Sequence, residues 1–420
     1  MRKTISQRLL GIAFVVAIFP LVASAQEGLR DRDRTFTASR KIAEDMRSAR
    51  LRYGPFYFLS RLELSDIGYT DQFYLPTDDQ ASGLTASVIA PQRLYFVPSR
   101  KTIFSAEVTP QYYFLEKNRG SSSRDHVGFF TRADAQIFLN HFYFDVYGTR
   151  SQELRGNVDI NRLATRADKS IGTTGEFRYS SRTSATWAAS YRQSRYPTSR
   201  LQPEDIDVHL LDRTEHNVRI GARHKTFPLT SLLVAAEVSN YAFPFTTYKD
   251  SRRTYAGAGF DFDNGRSGLR AEAGMASLTW KRQGPKEFHG AVGNAQFTRK
   301  LNDRMTLSLG GTRDVDFSIY VNNYYFVADR AAFSTDYSAT RRLTLRFAST
   351  YGRDSYDIPT LVNGFSVRRR DNVSFTSVGW IYSLRRLRGG FDVGWYQRNS
   401  NVEVDDNNGI RLVLHLSLAP

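Results

Sequence analysis

NAQFTRKLNDRMTLSLGG, residues 294–311, poses the question that decides the fold. Ala295, Phe297 and Leu301 alternate with Gln296, Thr298 and Lys300; beyond Asn302-Asp303-Arg304, Met305, Leu307 and Leu309 alternate with Thr306 and Ser308. A period of two on both sides of a short polar break predicts two antiparallel strands joined by a tight turn. Each strand has one apolar and one hydrophilic face. The fold therefore depends on what surrounds each face.

The pattern holds from Phe56 to the end of the chain. It predicts strands at 56–69, 83–97, 102–115, 126–139, 142–155, 169–180, 184–196, 211–224, 230–242, 252–262, 268–281, 287–299, 305–318, 324–338, 342–355, 367–382, 388–398 and 409–418, eighteen in all. Eight joints are short, around residues 99–101, 140–141, 180–183, 225–229, 263–267, 301–304, 340–341 and 384–387. The connections between them are mostly longer and more polar: 70–82, 116–124, 156–167, 197–209, 243–251, 356–365 and 399–408. Two of that set, after Lys281 and after Ser318, are short. An eighteen-stranded barrel with both ends on one side needs eight turns there and nine loops opposite, which this alternation matches.

Strand length separates a membrane barrel from a soluble sandwich. Soluble strands usually run ~5–6 residues, whereas these reach about a dozen, enough to cross a bilayer at a tilt. A soluble sandwich would also need a core rich in Val, Ile and Leu. Here the apolar face often reads Ala, Gly, Phe and Tyr, and the other face carries charge. The expectation is an all-β, closed antiparallel transmembrane barrel with lipid outside and a wet interior. Only closure satisfies every backbone group in lipid.

The first residues are of another kind. Arg2, Lys3 and Arg8 precede an apolar run from Leu9 to Val22 and then Ala23-Ser24-Ala25, the three parts of a secretory signal peptide. Residues 1–25 are expected to be removed. A retained anchor helix is the alternative, but the run is short for one. Residues 26–55 read as a periplasmic segment in which 37–51 form a short helix, with Ala38, Ile42, Met46 and Ala49 on one face. That helix could extend into the periplasm, plug the lumen or form a loose arm. The barrel itself is expected over 56–420.

The 420 residues carry a net charge of +16, of which the signal supplies three, and no cysteine. Such a charge often marks a partner of nucleic acid, but the export signal and the scatter of arginines within strands argue against one. Without disulfides, stability has to come from closure and burial. No P-loop, H-E-x-x-H or G-x-S-x-G motif occurs. The seven histidines have no metal-ligand spacing, so neither an enzyme nor a cofactor is expected. His209 and His216, flanking Asp212 and Glu215, offer the one conceivable hydrolase site. The acidic clusters Asp78-Asp79, Glu204-Asp205 and Asp405-Asp406 read as solvated loop tips, or as cation bridges to lipopolysaccharide. With only residues 26–55 between the signal and the barrel, no plug domain of roughly 100 residues is expected.

Strand parity assigns the faces. Phe142, Phe144 and Val146 point to lipid, and Tyr143, Asp145 and Tyr147 inward. Applied throughout, it places Arg61, Arg93, Arg132, Arg178, Arg192, Arg219, Arg223, Arg270, Arg342, Arg346, Arg368, Arg370, Arg398 and Arg411 in the lumen. Their acidic company is Glu63, Glu107, Asp134, Asp145, Glu176, Glu237, Glu272 and Asp392, which leaves a basic excess. One reading is a passage whose field favours anions. The other is that the charges pair across strands and merely solvate the wall. Loops 70–82 and 197–209 are the candidates for a constriction.

Two segments resemble a known family. RYGPFYFLSRLELSDIGYTDQFY, residues 52–74, is similar to the first strand of the β-barrel porin 2 family of Gram-negative outer membranes, with Gln72 or a neighbour where Asn is usual. QRNSNVEVDDNNGIRLVLHLSLAP, residues 397–420, resembles that family's last strand. The resemblance implies an outer-membrane barrel of the eighteen-strand class, linked in relatives to exopolysaccharide or capsule export, an anionic cargo. Its implied partners are outer-membrane lipid, lipopolysaccharide and periplasmic polysaccharide-export proteins. The chain departs from outer-membrane habit by ending Leu418-Ala419-Pro420 rather than on an aromatic residue. A non-conducting surface scaffold or adhesion barrel, binding partners through its long loops, is the rival expectation.

Overall fold

In the computed structural model the described residues are 42, 45–47, 49, 51–70, 83–115, 126–157, 162–197, 200–201, 206–282, 284, 286–320, 323–362, 365–384, 387–402 and 406–418. The expected signal peptide, residues 71–82 of loop 70–82 with Gln72, and the acidic pairs Asp78-Asp79 and Glu204-Asp205 lie outside them.

Eighteen strands form the wall. β1 is Phe56–Ser60 continued by Leu62–Thr70, and β2 is Gly83–Ile89 continued by Gln92–Ser99. There follow β3 Thr102–Leu115, β4 His126–Phe138, β5 Phe142–Asn157, β6 Arg162–Arg178, β7 Thr183–Arg195, β8 Arg213–Phe227 and β9 Thr230–Ala242. The second half comprises β10 Ser251–Asp263, β11 Ser267–Trp280, β12 Phe288–Lys300, β13 Met305–Phe317 and β14 Tyr325–Ser338. The wall ends with β15 Leu343–Tyr356, β16 Arg370–Leu384, β17 Leu387–Ser400 and β18 Asn407–Leu418. Each pairs antiparallel with the next, and β18 pairs with β1 from Arg411↔Thr70 to Leu418↔Leu62, which closes the barrel. The expected fold class is the observed one.

Local chemistry explains the irregularities. Pro91 has no N–H to donate and breaks β2; opposite it, the Arg61 N–H donates to the Pro91 carbonyl at 3.1 Å. At the seam β1 bulges between Ser65 and Gly68, where Asp66 adopts φ 56°, a conformation that Asp tolerates better than most residues. Gly68 is required there, because a Cβ would overlap the Leu412 carbonyl of β18. The hairpin quoted at the outset pairs from Gly293↔Arg313 to Lys300↔Thr306, and the Asn302 side chain accepts the Arg304 and Met305 N–H groups in its turn. The expected strand at 169–180 begins earlier, at Arg162, and the one at 367–382 begins at Arg370, after a small hairpin of Thr360–Val362 with Phe365–Val367.

The outer wall is apolar. Val127, Ile171, Val218, Ile220, Leu232, Val234, Met275, Val378 and Trp395 are each more than half exposed. A contiguous surface of this kind needs lipid rather than water. No helix among the described residues is long and apolar enough to cross a membrane; the strands do so. The protein is an outer-membrane β-barrel, with eight short turns at the end where β1 begins and β18 finishes, and the loops at the other end.

The helical residues Ile42, Asp45, Met46 and Arg47 lie inside the turn end of the barrel. Ile42 packs on Tyr95 and Ile103 with Met46 and Phe138 alongside, and Asp45 accepts the Tyr95 hydroxyl at 2.7 Å and Arg93 at 3.1 Å. These contacts hold the described helical residues against the inner wall.

Candidate functional site

Inward-facing residues of neighbouring strands meet in register, so charges two apart on one strand find partners on the next. Arg219 on β8 stands opposite Glu237 on β9 and binds it at 3.1 Å, reaching on to Glu272 of β11 at 2.6 Å. Glu237 also accepts from Arg253 of β10 at 3.1 Å, and Arg253 spans to Asp314 of β13 at 2.8 Å. The Tyr255 hydroxyl donates to Glu272 at 2.8 Å, under both guanidinium groups. A cavity of about 190 Å³ opens onto this network. Arg192, Arg213, Glu215 and Arg219 line one side of it, and Asp314 and Asp316 the other.

Toward the loop end an apolar cluster narrows the lumen. Val208 and Leu211, in the short 3-10 turn Val208–Leu211, join Phe243, Phe317 and Ile319 over Tyr241, Leu278 and Phe288 of the inner wall. The rings of Tyr241 and Phe243 meet Phe317 edge-on at 4.8 and 4.9 Å. Polar bonds tie these loops together. Lys249, fully buried, donates to the Ser318 carbonyl at 2.7 Å, and Thr246 to that of Leu210 at 3.1 Å. Asp212 accepts the Tyr196 N–H at 2.7 Å, with His209 at 3.4 Å. Burial pushes the Asp212 carboxyl above its ordinary range, against the opposing influence of those two bonds. Of loop 197–209, the described Val208 is fully buried in this cluster.

Two further networks line the wall from β14 to β18. Near the loop end, Asp371 accepts from Arg369 at 2.8 Å, Arg398 at 2.6 Å and the Ser400 hydroxyl at 2.6 Å, beside the ion pair of Arg330 with Asp354. Nearer the turns Arg346 binds Asp336 at 3.0 Å, and His415 meets Asp392 at 2.8 Å.

The sequence-predicted arginines separate into groups. Arg61, Arg132, Arg178, Arg219, Arg223, Arg346, Arg398 and Arg411 face inward, each with a carboxylate: Glu63, Asp134, Glu176, Glu237, Asp261, Asp336, Asp371 and Asp66 in turn. Arg93 binds both Asp45 and Glu107. Arg192 lines the cavity, and Arg270 faces inward on the side of Glu272. Arg342 is exposed in the turn before β15, at the rim rather than on the wall. Arg368 and Arg370 are not in the lumen. On β16 the inward set is Asp371, Val373, Ser377 and Ile381, and the outward set is Arg370, Val378, Trp380 and Tyr382. Both faces of that strand are apolar, so alternation alone could not choose between them; the bonds of Asp371 do.

Among the described residues the expected basic excess also disappears. Asp66, Asp168, Asp261, Asp314, Asp336, Asp354 and Asp371, absent from the sequence-based set, hold arginines on the inner wall. Arg166, Arg253, Arg330 and Arg369 were missed with them, since a cross-strand partner leaves no mark in a single strand's pattern. The hydrolase candidates do not converge. His209 sits at the mouth on Asp212, while His216 lies on the outer face against Tyr191, with ring centroids 4.9 Å apart.

No protein-family model and no curated protein matches the chain. Among solved structures it is similar to OpdK of Pseudomonas aeruginosa with vanillate, at 13% identity and TM-score 0.49, covering 86% of this chain and 99% of that one. It is likewise similar to OccAB3 of Acinetobacter baumannii, at 12% identity and TM-score 0.48, covering 86% and 99%. Pseudomonas aeruginosa OccK2 (OpdF) in complex with glucuronate gives 13% identity and TM-score 0.49, covering 86% and 98%.

Proposed function

We propose that the barrel is a passive conduit for small polar solutes, anionic ones among them. The observation that carries this reading is the cavity below the mouth, where arginines of β7 and β8 face carboxylates of β13. On the arginine side the acid is the more covered partner: Arg219 keeps 14% of its side chain exposed against 3% for Glu237. On the other side the balance reverses, with Asp314 at 40% against 10% for Arg253. A solute carrying a carboxylate is drawn to the first wall, and its own dipole orients it across the gap. Because the wall as a whole is nearly balanced, the preference for anions is modest. The apolar mouth cluster favours small cargo over a polysaccharide chain.

Planar-bilayer reversal potentials under a salt gradient, with liposome swelling in solutes of graded size, test the proposal. Expected are conductance, uptake falling steeply with size, and a shift toward cations in the triple variant R192S/R213S/R219S. A folded barrel that neither conducts nor admits small solutes would end the proposal.

A further inference from the structure

The positive charge that the lumen lacks has to lie elsewhere, and part of it lies on the lipid side. Arg313 continues the outward face of Leu309, Arg353 that of Leu345 and Tyr351, and Arg370 that of Val378 and Trp380. At the loop end of β12 to β16 the outer wall therefore turns from apolar to basic. With Arg368 and Lys286 these side chains border a groove of about 480 Å³, whose carboxylates are Asp329, Asp357 and Glu287, the last held by His289 at 3.4 Å. Arg313 is matched by Asp329 at 2.7 Å and Lys286 by Asp357 at 3.1 Å. Arg353 donates only to the Asn372 amide oxygen, at 3.3 Å, and among the described residues no carboxylate lies within ion-pair distance of Arg353, Arg368 or Arg370.

We propose that this groove binds the phosphorylated headgroup of an outer-leaflet glycolipid. Three arguments select that occupant. The groove is bordered by Arg313, Arg353 and Arg370 of the lipid-facing wall, at the loop end where its apolar belt stops. Arginine forks match phosphate oxygens bidentately. The acyl chains below would lie along Leu345, Tyr351 and Val378, which are exposed on the same face. The inference needs the barrel to sit in the outer membrane but is independent of what passes through it.

The test uses the full-length barrel, purified in detergent, with native mass spectrometry and titration of three probes: bisphosphorylated lipid A, its dephosphorylated form, and inorganic phosphate. We expect one retained bisphosphorylated lipid per barrel and an affinity lower by about tenfold or more in R353S/R368S/R370S. The charge-matched variant R182S/R266S/R304S, at the turn end, should bind as the parent does. Equal binding by parent and R353S/R368S/R370S, or equal loss in the turn-end variant, would overturn the proposal. So would inorganic phosphate binding as tightly as the lipid, which would mark a free-phosphate site. Should the serine variant fail to fold, the corresponding triple lysine variant decides: it keeps the charge and loses the fork, so affinity several-fold below the parent supports the site and parental affinity refutes it. The serine variant should leave the reversal potential unchanged, which separates this proposal from the conduit.

Discussion

Asp371→Ala probes the most buried part of the inner wall. Asp371 is fully buried, Arg398 is 1% exposed, and Asp371 is the bonded partner of Arg398 at 2.6 Å. The Nε and Nη1 atoms of Arg398 find no acceptor among the described residues, so losing Asp371 leaves a buried cation with no bonded carboxylate, the nearby Asp354 being engaged by Arg330. Such a loss costs about 3–5 kcal/mol. Arg369 is cushioned, since its guanidinium lies 4.9 Å from the Tyr320 ring centre and 5.0 Å from that of Tyr356, contacts worth roughly 0.5–2 kcal/mol. The half-exposed pair of Arg313 with Asp329 is the internal comparison, and Asp329→Ala should cost less than about 1 kcal/mol. Urea-driven unfolding in phospholipid vesicles, followed by tryptophan fluorescence and by the gel shift of the folded barrel, measures both. Adding Arg398→Met to Asp371→Ala should restore much of the loss, because the stranded charge leaves with it. A cost for Asp371→Ala below about 1 kcal/mol, or a double variant whose losses simply add, would refute the reasoning.

Other predictions follow from closure, the inner helix and the mouth. Gly68→Ala forces a methyl group into the Leu412 carbonyl at the seam and should cost on the order of 1–3 kcal/mol or prevent closure, seen as loss of the heat-modifiable gel shift. Asp45→Ala removes the bonds to Tyr95 and Arg93, costing roughly 1–3 kcal/mol of helix attachment; single-channel conductance should rise, and an unchanged value would mean that the helix does not obstruct flow. At the mouth, the folded Asp212 carboxyl holds its proton more tightly than an unfolded one. Its contribution to loop stability is full below the ordinary carboxylate range, about pH 4, and is lost as pH rises through the raised folded value. Limited proteolysis across that interval should show the mouth loops opening with rising pH, and Asp212→Asn should flatten the profile.

The strands were legible because alternation is local. A chain such as residues 294–311 records in consecutive letters that one face meets lipid and the other water, and the spacing of turns then fixes the strand number and closure. What the sequence could not supply was partnership. Whether Arg253 reaches Glu237 and Asp314, or Arg219 reaches Glu272, depends on register between strands, which no single strand encodes. The face of Arg370 was misread for the same reason: β16 is apolar on both sides, and only Asp371 meeting Arg398 from the neighbouring strand orients it. Local periodicity thus determined that this chain is a membrane barrel. The tertiary structure decided where its charge resides, because pairing across a closed sheet is set by contacts far apart in the chain.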